Sequence, residues 1–444
     1  MANTLISYNG YPAYFNNTST TAPYLATNAS MLYLNADCSN LFSNCYKITD
    51  WNFLNNFNMD NITNCERMFY YCTNFNQPII IPNNVTDCNG MFDSCRNFNQ
   101  SINIPNNVIN CTFMFRSCSI FNQPITIPNN VTDCSGMFVY CVNFNQPINI
   151  PDSVTNCSNM FGYSEGLNGP VTIGNNVTNC YWMFAYCNNF NQPITIPNSV
   201  TDCRYMFYMS KQFNQPITIP DSVTSCEQIL SGCKSFNQPI IIPNSVTNCS
   251  LMFTGALMFN QPINIPDSVT SCYAMFSGCN NFNSNVTIGN NVTVCRWMFR
   301  FAPNFNASVT FGNNVTECEE MFLSSKNFNQ NVIIPASAIN CQMMFIGVKD
   351  GNNGLNNKHI YFEGLNPSLN VWRILGEAAF YPINTNTYLH FNQAINSCFN
   401  VEGDKGAGIL SSITFTKDPA NNCFYNTLCN IYCYYNYVPG TAQI

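Results

Sequence analysis

A segment of 23 residues repeats thirteen times along this chain without an insertion or a deletion. The lead cysteines of the thirteen copies stand at residues 65, 88, 111, 134, 157, 180, 203, 226, 249, 272, 295, 318 and 341. A fixed period of this length is the signature of a solenoid, in which equivalent residues of successive repeats stack above one another. One repeat cannot bury its apolar side alone, whereas stacked repeats share a continuous core. The period therefore predicts a repeat solenoid.

Each repeat is called a rung here and is named by its lead cysteine. The Cys134 rung shows the predicted elements: residues 148–150 alternate apolar, polar and apolar, as in a short half-buried strand. Pro151 ends that strand because proline has no amide donor. The segment V-T-x-C-x-x-M-F has apolar residues three and four apart, which predicts one or two helical turns. Phe144, in the loop F-N-Q-P, is expected to point inward.

The repeated motif V-T-x-x-x-x-M-F-x-x-C-x-x-F-N-Q-P-I resembles that of the BspA-type leucine-rich repeat family. The matching stretches include Val85 to Phe98, Val131 to Ile148, Val200 to Ile217 and Val269 to Phe282. The resemblance implies a leucine-rich-repeat-like parallel β solenoid, built of a short strand and a short helix or 3-10 turn per rung. It also implies an adhesive role on a cell or virion surface and brings no catalytic residues. Similar modules belong to fibre and decoration proteins of large tailed bacteriophages.

The regular array divides the chain into three predicted parts. Residues 1–34 lie outside the period and are aromatic and almost uncharged, so they are expected to be an anchoring or capping segment in which Pro12 and Pro23 interrupt regular structure. Residues 35–347 form the solenoid, which begins with an atypical rung, as terminal rungs cover an open core end. Residues 348–444 lose the period and are expected to form a C-terminal cap or a small β-rich domain.

Composition restricts the partners. Only 8% of the residues are charged and the formal net charge is −7, which argues against a nucleic-acid partner because such a partner needs a basic surface. The 26 cysteines suggest disulfides, but the cysteine seven residues after the lead cysteine is Ser, Ala or Val in six rungs. A bonded pair could not lose one partner so often, so buried thiols are predicted. With only two histidines, His359 and His390, no metal site and no cofactor are expected.

The N-terminal residues contain no basic region followed by an apolar run, so no secretion signal is expected, and no stretch is long enough to span a membrane. Abundant thiols fit synthesis in a reducing cytoplasm. These features favour a virion structural or adhesive protein made in the host cytoplasm, such as a bacteriophage fibre or decoration protein. The alternative is a cellular surface adhesin exported by a non-classical route. No catalytic motif is present, and an enzyme is not predicted.

Variation within the rungs concentrates one, two, five and six residues after the lead cysteine. Trp, Tyr and Arg at such positions are typical of binding hot spots, because they bury a large area and keep a polar group. The predicted binding residues are Tyr181, Trp182, Tyr186, Arg204, Tyr205, Tyr208, Arg296, Trp297, Arg300 and Phe301. Their predicted partners are other virion or surface proteins, or a host protein or glycan receptor, and the chain itself could form an oligomer. The alternative is that these rings form the edge of the core.

A second surface is predicted fifteen residues after each lead cysteine, at the outward position of the strand. It carries uncharged side chains, mainly Thr, Asn and Ile. The simplest interpretation is β-propensity on an exposed sheet face. The alternative is a flat surface that packs against another protein or a glycan.

Overall fold

The computed structural model describes residues 3–8, 11–16, 32–348, 358–362, 387–390, 416–418, 423–426 and 431–434. The chain divides into two compact units, Met1–Ser222 and Val223–Ile444. In chain order the strands are β1 Asn3–Tyr8, β2 Tyr11–Asn16, β3 Leu32–Tyr33, β4 Phe57–Asn58, β5 Ile148–Asn149, β6 Val171–Thr172, β7 Ile263–Asn264, β8 Val286–Thr287, β9 Val309–Thr310, β10 Val332–Ile334, β11 Lys358–Phe362, β12 Thr387–His390, β13 Thr416–Asp418, β14 Cys423–Asn426 and β15 Ile431–Tyr434. Among the described residues the one helix is a 3-10 helix, Asn52–Asn56, and no helix is long and apolar enough to cross a membrane.

Successive rungs of each unit are joined on the side of the lead cysteine by a backbone hydrogen-bond ladder. Every second N–H donates to the next rung: the Cys111 N–H donates to the Asp133 carbonyl at 3.0 Å, and the Phe115 N–H to the Met137 carbonyl at 2.9 Å. The intervening N–H groups close turns within the rung, as from Met114 N to Cys111 O at 3.2 Å. The helical turns predicted for this segment are therefore wrong, because half of the N–H groups that a helix would use bond to the neighbouring rung.

The predicted strands pair in fewer places than their repetition suggests. Between the Cys134 and Cys295 rungs, parallel pairing joins β5 to β6, and β7 to β8 to β9. Glycine replaces the usual proline after the later strands, at Gly174, Gly289 and Gly312. A Cβ atom on Gly174 would lie 2.4 Å from the Pro151 carbonyl oxygen, so glycine is what allows the two backbones to approach.

Two columns of stacked phenylalanine rings form the centre of each unit. Phe138 stacks on Phe144 of its own rung with ring centroids 4.3 Å apart, and on Phe161 of the next rung at 5.7 Å. In the second unit Phe299 stacks on Phe322 at 5.5 Å. The phenylalanine of the F-N-Q-P loop is buried, as predicted. Each stacked pair adds about 0.5–1.5 kcal/mol to the stabilisation that burial gives.

The cysteines complete the core. The 22 cysteines from Cys38 to Cys341 are all buried free thiols. Burial raises the pKa of Cys65 to about 12, with smaller contributions from Cys38 and Asp87, and burial likewise raises the pKa of Cys134 well above its usual range. Such thiols stay protonated at neutral pH and are poor nucleophiles and poor metal ligands. Among the described residues no group of three His, Cys, Asp or Glu side chains is placed to hold a metal ion.

The cysteine seven residues after the lead cysteine has a hydrogen-bonding role that the sequence does not reveal. The Cys141 thiol donates to the Phe115 carbonyl at 2.9 Å, and in the next rung the Ser164 hydroxyl donates to the Phe138 carbonyl at 2.6 Å. The Phe115 carbonyl also accepts the Cys118 N–H at 3.0 Å. Serine can therefore replace this cysteine, and alanine is tolerated because the carbonyl keeps its backbone donor.

The asparagine of the F-N-Q-P loop bonds one rung to the next. Asn122 Oδ1 accepts the backbone N–H of Asn145 at 2.9 Å and the Gln146 side-chain amide at 3.1 Å. At the other corner of the rung, the Asn130 side chain donates to the Asn106 carbonyl at 2.7 Å. Asparagines thus satisfy backbone groups that the strand and turn ladders leave unpaired.

The two ends of the array carry their own strands. β1 and β2 form an antiparallel pair in which Pro12 lies opposite Ser7. The expectation that Pro12 interrupts regular structure is wrong, since proline is tolerated in an edge strand. In the second unit β11 pairs in parallel with β10 of the Cys318 rung, and the sheet continues in the order β10-β11-β12-β15-β14-β13.

Candidate binding surface

Five of the ten predicted binding residues stand on a backbone that is unusual for large residues. Two and six residues after the lead cysteine, φ is positive in nearly every described rung, and the value is +58° at Trp182, +59° at Tyr186 and +58° at Tyr205. This left-handed conformation costs an L-residue about 1–2 kcal/mol. Six of these positions hold glycine: Gly90, Gly136, Gly232, Gly255, Gly278 and Gly347. The twenty other positions hold side chains of every size, so the left-handed conformation belongs to the repeated turn itself and is present with or without an aromatic residue.

Three tyrosines of successive rungs stack on one another in the first unit and are called the tyrosine ladder. The rings of Tyr140 and Tyr163 are 4.5 Å apart with an angle of 16° between their planes, and those of Tyr163 and Tyr186 are 4.3 Å apart with an angle of 9°. Burial, the two neighbouring phenols and their hydrogen bonds raise the pKa of Tyr163. The ladder thus presents neutral hydroxyl groups along its edge.

Next to this ladder, two rungs bring together six of the predicted residues. These form the lateral cluster: Tyr181, Trp182, Tyr186, Arg204, Tyr205 and Tyr208. All six are half-buried. The Trp182 ring stacks on Tyr205 at 5.7 Å and lies 5.6 Å from Tyr208. Much of the surface of these rings is buried within the cluster. Their inner faces therefore form the edge of the core, as the alternative interpretation expects, while their outer edges remain accessible to a partner.

One arginine and one carboxylate fix the polar side of the lateral cluster. The Arg204 guanidinium lies 5.5 Å from the centre of the Tyr181 ring and pairs with Asp202 at 2.8 Å. Burial alone would raise the pKa of Asp202, but the hydrogen bonds and the charge of Arg204 hold that pKa below its usual range. Asp202 therefore stays ionised and restrains Arg204, which lowers the entropy that this side chain would lose on binding.

Trp182 has an unsatisfied polar group. Its indole Nε1 is buried, and within the described part of the chain no acceptor bonds it. An unpaired buried donor costs about 1–3 kcal/mol. Because the nitrogen is buried, a partner would recover that free energy only if its binding moved the surrounding rings and brought an oxygen acceptor to the indole N–H.

In the second unit the four other predicted residues form a group in which both arginines are paired with carboxylates, while the indole Nε1 of Trp297, like that of Trp182, is buried and has no acceptor among the described residues. Arg296 pairs with Glu319 at 2.8 Å, and Arg300 pairs with Glu320 at 3.1 Å. The Arg300 guanidinium also lies 4.5 Å from the Trp297 ring and 4.7 Å from the Phe301 ring. Because both arginines already face carboxylates, this group offers less charge to a partner than its sequence suggests.

The outward strand position is exposed, as predicted. Ile80 is 87% exposed and Ile241 is 84% exposed. The side chains at this position form no aromatic cluster and hold no charge. Exposure here fits both interpretations given by the sequence.

The structure adds residues that the sequence did not single out. Tyr140 and Tyr163 extend the aromatic surface by two rungs, and Asp202 and Glu319 hold the arginines. Each tyrosine is the one large aromatic among the variable positions of its rung, so no local cluster marks it. Comparing the sixth position after every lead cysteine would have revealed the ladder.

Comparison with known proteins gives the family. A family model described as "Mycoplasma protein of unknown function, DUF285" matches residues 36–150, 126–219, 151–242, 196–288, 243–334 and 266–358. The chain belongs to this family. A search of curated proteins gives no match.

Three solved structures are similar to this chain. A leucine-rich repeat protein from Bacteroides ovatus is 15% identical, covers 89% of this chain and 95% of its own, and superposes with a TM-score of 0.54. A leucine-rich cell surface protein from Faecalibacterium prausnitzii is 20% identical over 64% of this chain and 95% of its own, with a TM-score of 0.32. The pneumococcal vaccine antigen PcpA is 14% identical over 67% of this chain and 89% of its own, with a TM-score of 0.40. The first confirms the predicted leucine-rich-repeat-like solenoid and the resemblance to BspA-type proteins at the level of fold.

Proposed function

We propose that this protein is a non-catalytic adhesive solenoid whose lateral cluster binds a protein partner. The observation that carries the proposal is the lateral cluster itself, in which the Trp182 ring packs against Tyr205 and Tyr208 on two successive rungs, beside an arginine that Asp202 restrains. Trp182 and Tyr205 stand two residues after their lead cysteines, where other rungs have Gly90 and Gly136, so the fold itself does not require a ring at this position.

The chemistry of the cluster supports this role. Trp, Tyr and Arg dominate binding hot spots because they bury a large area and keep polar groups at their tips. Here the rings are already packed against one another, and Arg204 is held by Asp202. A partner would therefore meet a preorganised surface, and less conformational entropy would be lost on binding.

The partner is a protein because of how the residues are laid out. The cluster lies on the open side of two successive rungs, where the variable side chains stand next to one another. A flat surface with aromatic rings at its centre and charged groups beside them is typical of protein interfaces. We place the tyrosine ladder at the edge of the same contact.

The resemblance of the repeats to BspA-type proteins suggests two places where the protein could act. One setting is a virion, in which the protein would be a fibre or decoration component that attaches to a host surface or to neighbouring virion proteins. The other is a cell surface, on which it would act as an adhesin. Mass spectrometry of purified virions and protease treatment of intact cells separate the two. Protein recovered only with particles supports the first, and protein removed from intact cells supports the second.

The binding function is tested by replacing Tyr181, Trp182, Arg204 and Tyr205 together with alanine. Loss of a hot spot should weaken binding to the isolated particle or cell surface by more than about 2 kcal/mol, or roughly thirtyfold. Binding isotherms with purified wild-type and variant protein measure the change. The circular dichroism spectrum should stay that of the wild type, because the phenylalanine columns and the thiols are untouched.

A matched control replaces the exposed Ile80 and Ile241 with alanine, which alters the strand face and leaves the lateral cluster intact. Wild-type binding by this control, together with loss in the fourfold variant, supports the proposal. Equal binding by the wild type and the fourfold variant would contradict it, and loss in the control alone would transfer the function to the strand face.

A further inference from the structure

We infer that a hollow at the free end of the tyrosine ladder binds an acidic saccharide. The hollow is lined by Arg96, Ser117, Ser119 and Tyr140 and encloses about 420 Å³. It lies on three successive rungs of the first unit. The inference goes beyond the proposed function: Tyr140 also lies at the edge of the proposed protein contact, but none of the four lining residues belongs to the lateral cluster.

Tyr140 provides an open aromatic face. One face of its ring stacks on Tyr163 at 4.5 Å, and the side chain is 46% exposed. The rung before it holds Ser117 at the equivalent position, with nearly the same backbone φ, +58° against +60°. Because serine is too small to continue the stack, the second face of Tyr140 is left uncovered. The ladder thus ends in a flat ring over a polar floor.

The floor of the hollow offers hydroxyl groups. Ser117 and Ser119 are both half-buried. The Ser119 hydroxyl donates to the Arg96 carbonyl at 3.2 Å, which leaves its oxygen lone pairs to accept a hydrogen bond from a ligand. The two serine hydroxyls can therefore form hydrogen bonds with the hydroxyl groups of a ligand.

Arg96 provides the positive charge. Its side chain is exposed, and among the residues that the structure describes no carboxylate pairs with it. In the next rung, by contrast, Arg116 pairs with the buried Asp93 at 2.6 Å. A guanidinium that is not neutralised within the protein is suited to a carboxylate or a sulfate, which it can bind through two parallel hydrogen bonds.

These groups together match a sugar ring with an acidic substituent. The C–H face of a pyranose is flat and apolar and fits against Tyr140, while its hydroxyl groups lie at the rim, where the serines are. The acidic substituent then reaches Arg96. A nucleobase could also stack on Tyr140, but the net charge of −7 opposes a polyanionic strand.

The key variant is Ser117→Tyr, which should extend the ladder by one ring and cover the open face of Tyr140. Tyrosine is accommodated at this position in three later rungs, with φ of +60°, +61° and +59°, so the variant should fold as the wild type does. The full-length proteins are applied to an array of sialylated, uronic-acid, sulfated and neutral oligosaccharides. The strongest acidic binder is then titrated by calorimetry beside its carboxyl-reduced or desulfated form.

We expect the wild type to bind an acidic oligosaccharide, and Ser117→Tyr and Tyr140→Ala to weaken this binding by about tenfold or more, the effect of losing one stacking contact. Arg96→Gln should reduce binding of the acidic form to that of its neutral counterpart. Tyr71→Ala is the matched control, since Tyr71 occupies the same position in the Cys65 rung and stands outside the hollow. This control should bind as the wild type does.

Three results would overturn the inference. The first is that the wild type retains no saccharide on the array. The second is that Ser117→Tyr, with a wild-type circular dichroism spectrum, binds as well as the wild type. The third is that an acidic peptide, and no saccharide, competes for the site in a Ser117-dependent manner. Because the fourfold lateral-cluster variant keeps the hollow, it should retain saccharide binding even if it loses its protein partner.

Discussion

The two cysteine positions of a rung should lose different amounts of stability on the same substitution. Cys134 and Cys141 are both fully buried in one rung. The Cys141 thiol donates to the Phe115 carbonyl at 2.9 Å, whereas the Cys134 thiol makes no hydrogen bond within the part of the chain that the structure describes. Serine is isosteric with cysteine but needs a hydrogen-bond partner when it is buried. Comparing Cys134→Ser with Cys141→Ser therefore measures the cost of burying a serine hydroxyl without a hydrogen-bond partner.

The magnitudes follow from these contacts. A serine hydroxyl at residue 134 would be buried without a partner, at a cost of about 1–3 kcal/mol in the free energy of unfolding. At residue 141 the hydroxyl would take over the bond to Phe115, as the Ser164 hydroxyl does with Phe138 at 2.6 Å, so we expect a loss below about 1 kcal/mol. Cys134→Ala removes the sulfur without adding a hydroxyl and should be less destabilising than Cys134→Ser.

The assay is urea unfolding followed by far-UV circular dichroism in the presence of a reductant. Because repeat arrays can unfold in parts, amide hydrogen exchange in the Cys111 and Cys134 rungs should accompany it. The two measurements should agree on the order of the three variants. If Cys141→Ser is as destabilising as Cys134→Ser, the assigned hydrogen bond does not decide which residues each position accepts.

Four further predictions concern the core, the ladders and the N-terminal segment. Burial raises the pKa of the Cys65 thiol from 9.0 to about 12 in the folded protein. The contribution of this thiol to the free energy of unfolding should therefore be complete below pH 9.0 and should decrease as the pH rises toward 12. Urea unfolding at a series of pH values measures this decrease. In denaturant without reductant, most of the 26 thiols should react with a thiol reagent, and reaction of fewer than roughly a third would instead indicate a disulfide framework. Asn122→Ala should lower the free energy of unfolding by about 1–2 kcal/mol, because it removes the acceptor of the Asn145 N–H, whereas Asn122→Asp keeps an acceptor and should lose less on the same assay. Deletion of residues 1–34, the proposed anchor, should abolish incorporation into the particle or surface layer and leave a folded solenoid. Quantitative mass spectrometry of the particle or surface layer measures the incorporation, and a normal copy number of the truncated protein would show that these residues are not the anchor.

Most of the fold could be predicted from the sequence, because equivalent positions of stacked rungs share the same environment and therefore the same kind of residue. A buried Phe144 and a buried Cys134 follow from apolar residues that recur at a fixed period. The helical turns could not be excluded in this way, since apolar residues three and four apart also suit two consecutive turns. The glycines at residues 136 and 255 were the available signal: glycine is favoured where φ is positive, and a helix has no such position.

The candidate surface was predicted only in part. Trp182 and Tyr205 were found because their rungs hold several aromatic residues, and the structure brings them together. Tyr140 was missed because its importance depends on Tyr163 in the next rung and on the small Ser117 in the rung before. The partners of the arginines could not be assigned either. Glu319 lies 23 residues from Arg296, and only the exact stacking of rungs makes the two neighbours.

Three of the four glycines of the Cys157 rung make one junction in the array unlike the others. Cβ atoms on Gly166, Gly169 and Gly174 would lie 2.5, 2.7 and 2.4 Å from carbonyl oxygens of the preceding rung. Gly289 and Gly312 make one such approach each, and at the remaining junctions regular rungs present the same donors and acceptors. A gene could gain or lose a 23-residue unit in frame at those junctions and keep its ladders. At this junction a regular rung with larger residues could not take the place of the Cys157 rung. Tyr140 and Tyr163 lie on its two sides, so changes in copy number during evolution should occur elsewhere and leave this part of the tyrosine ladder intact.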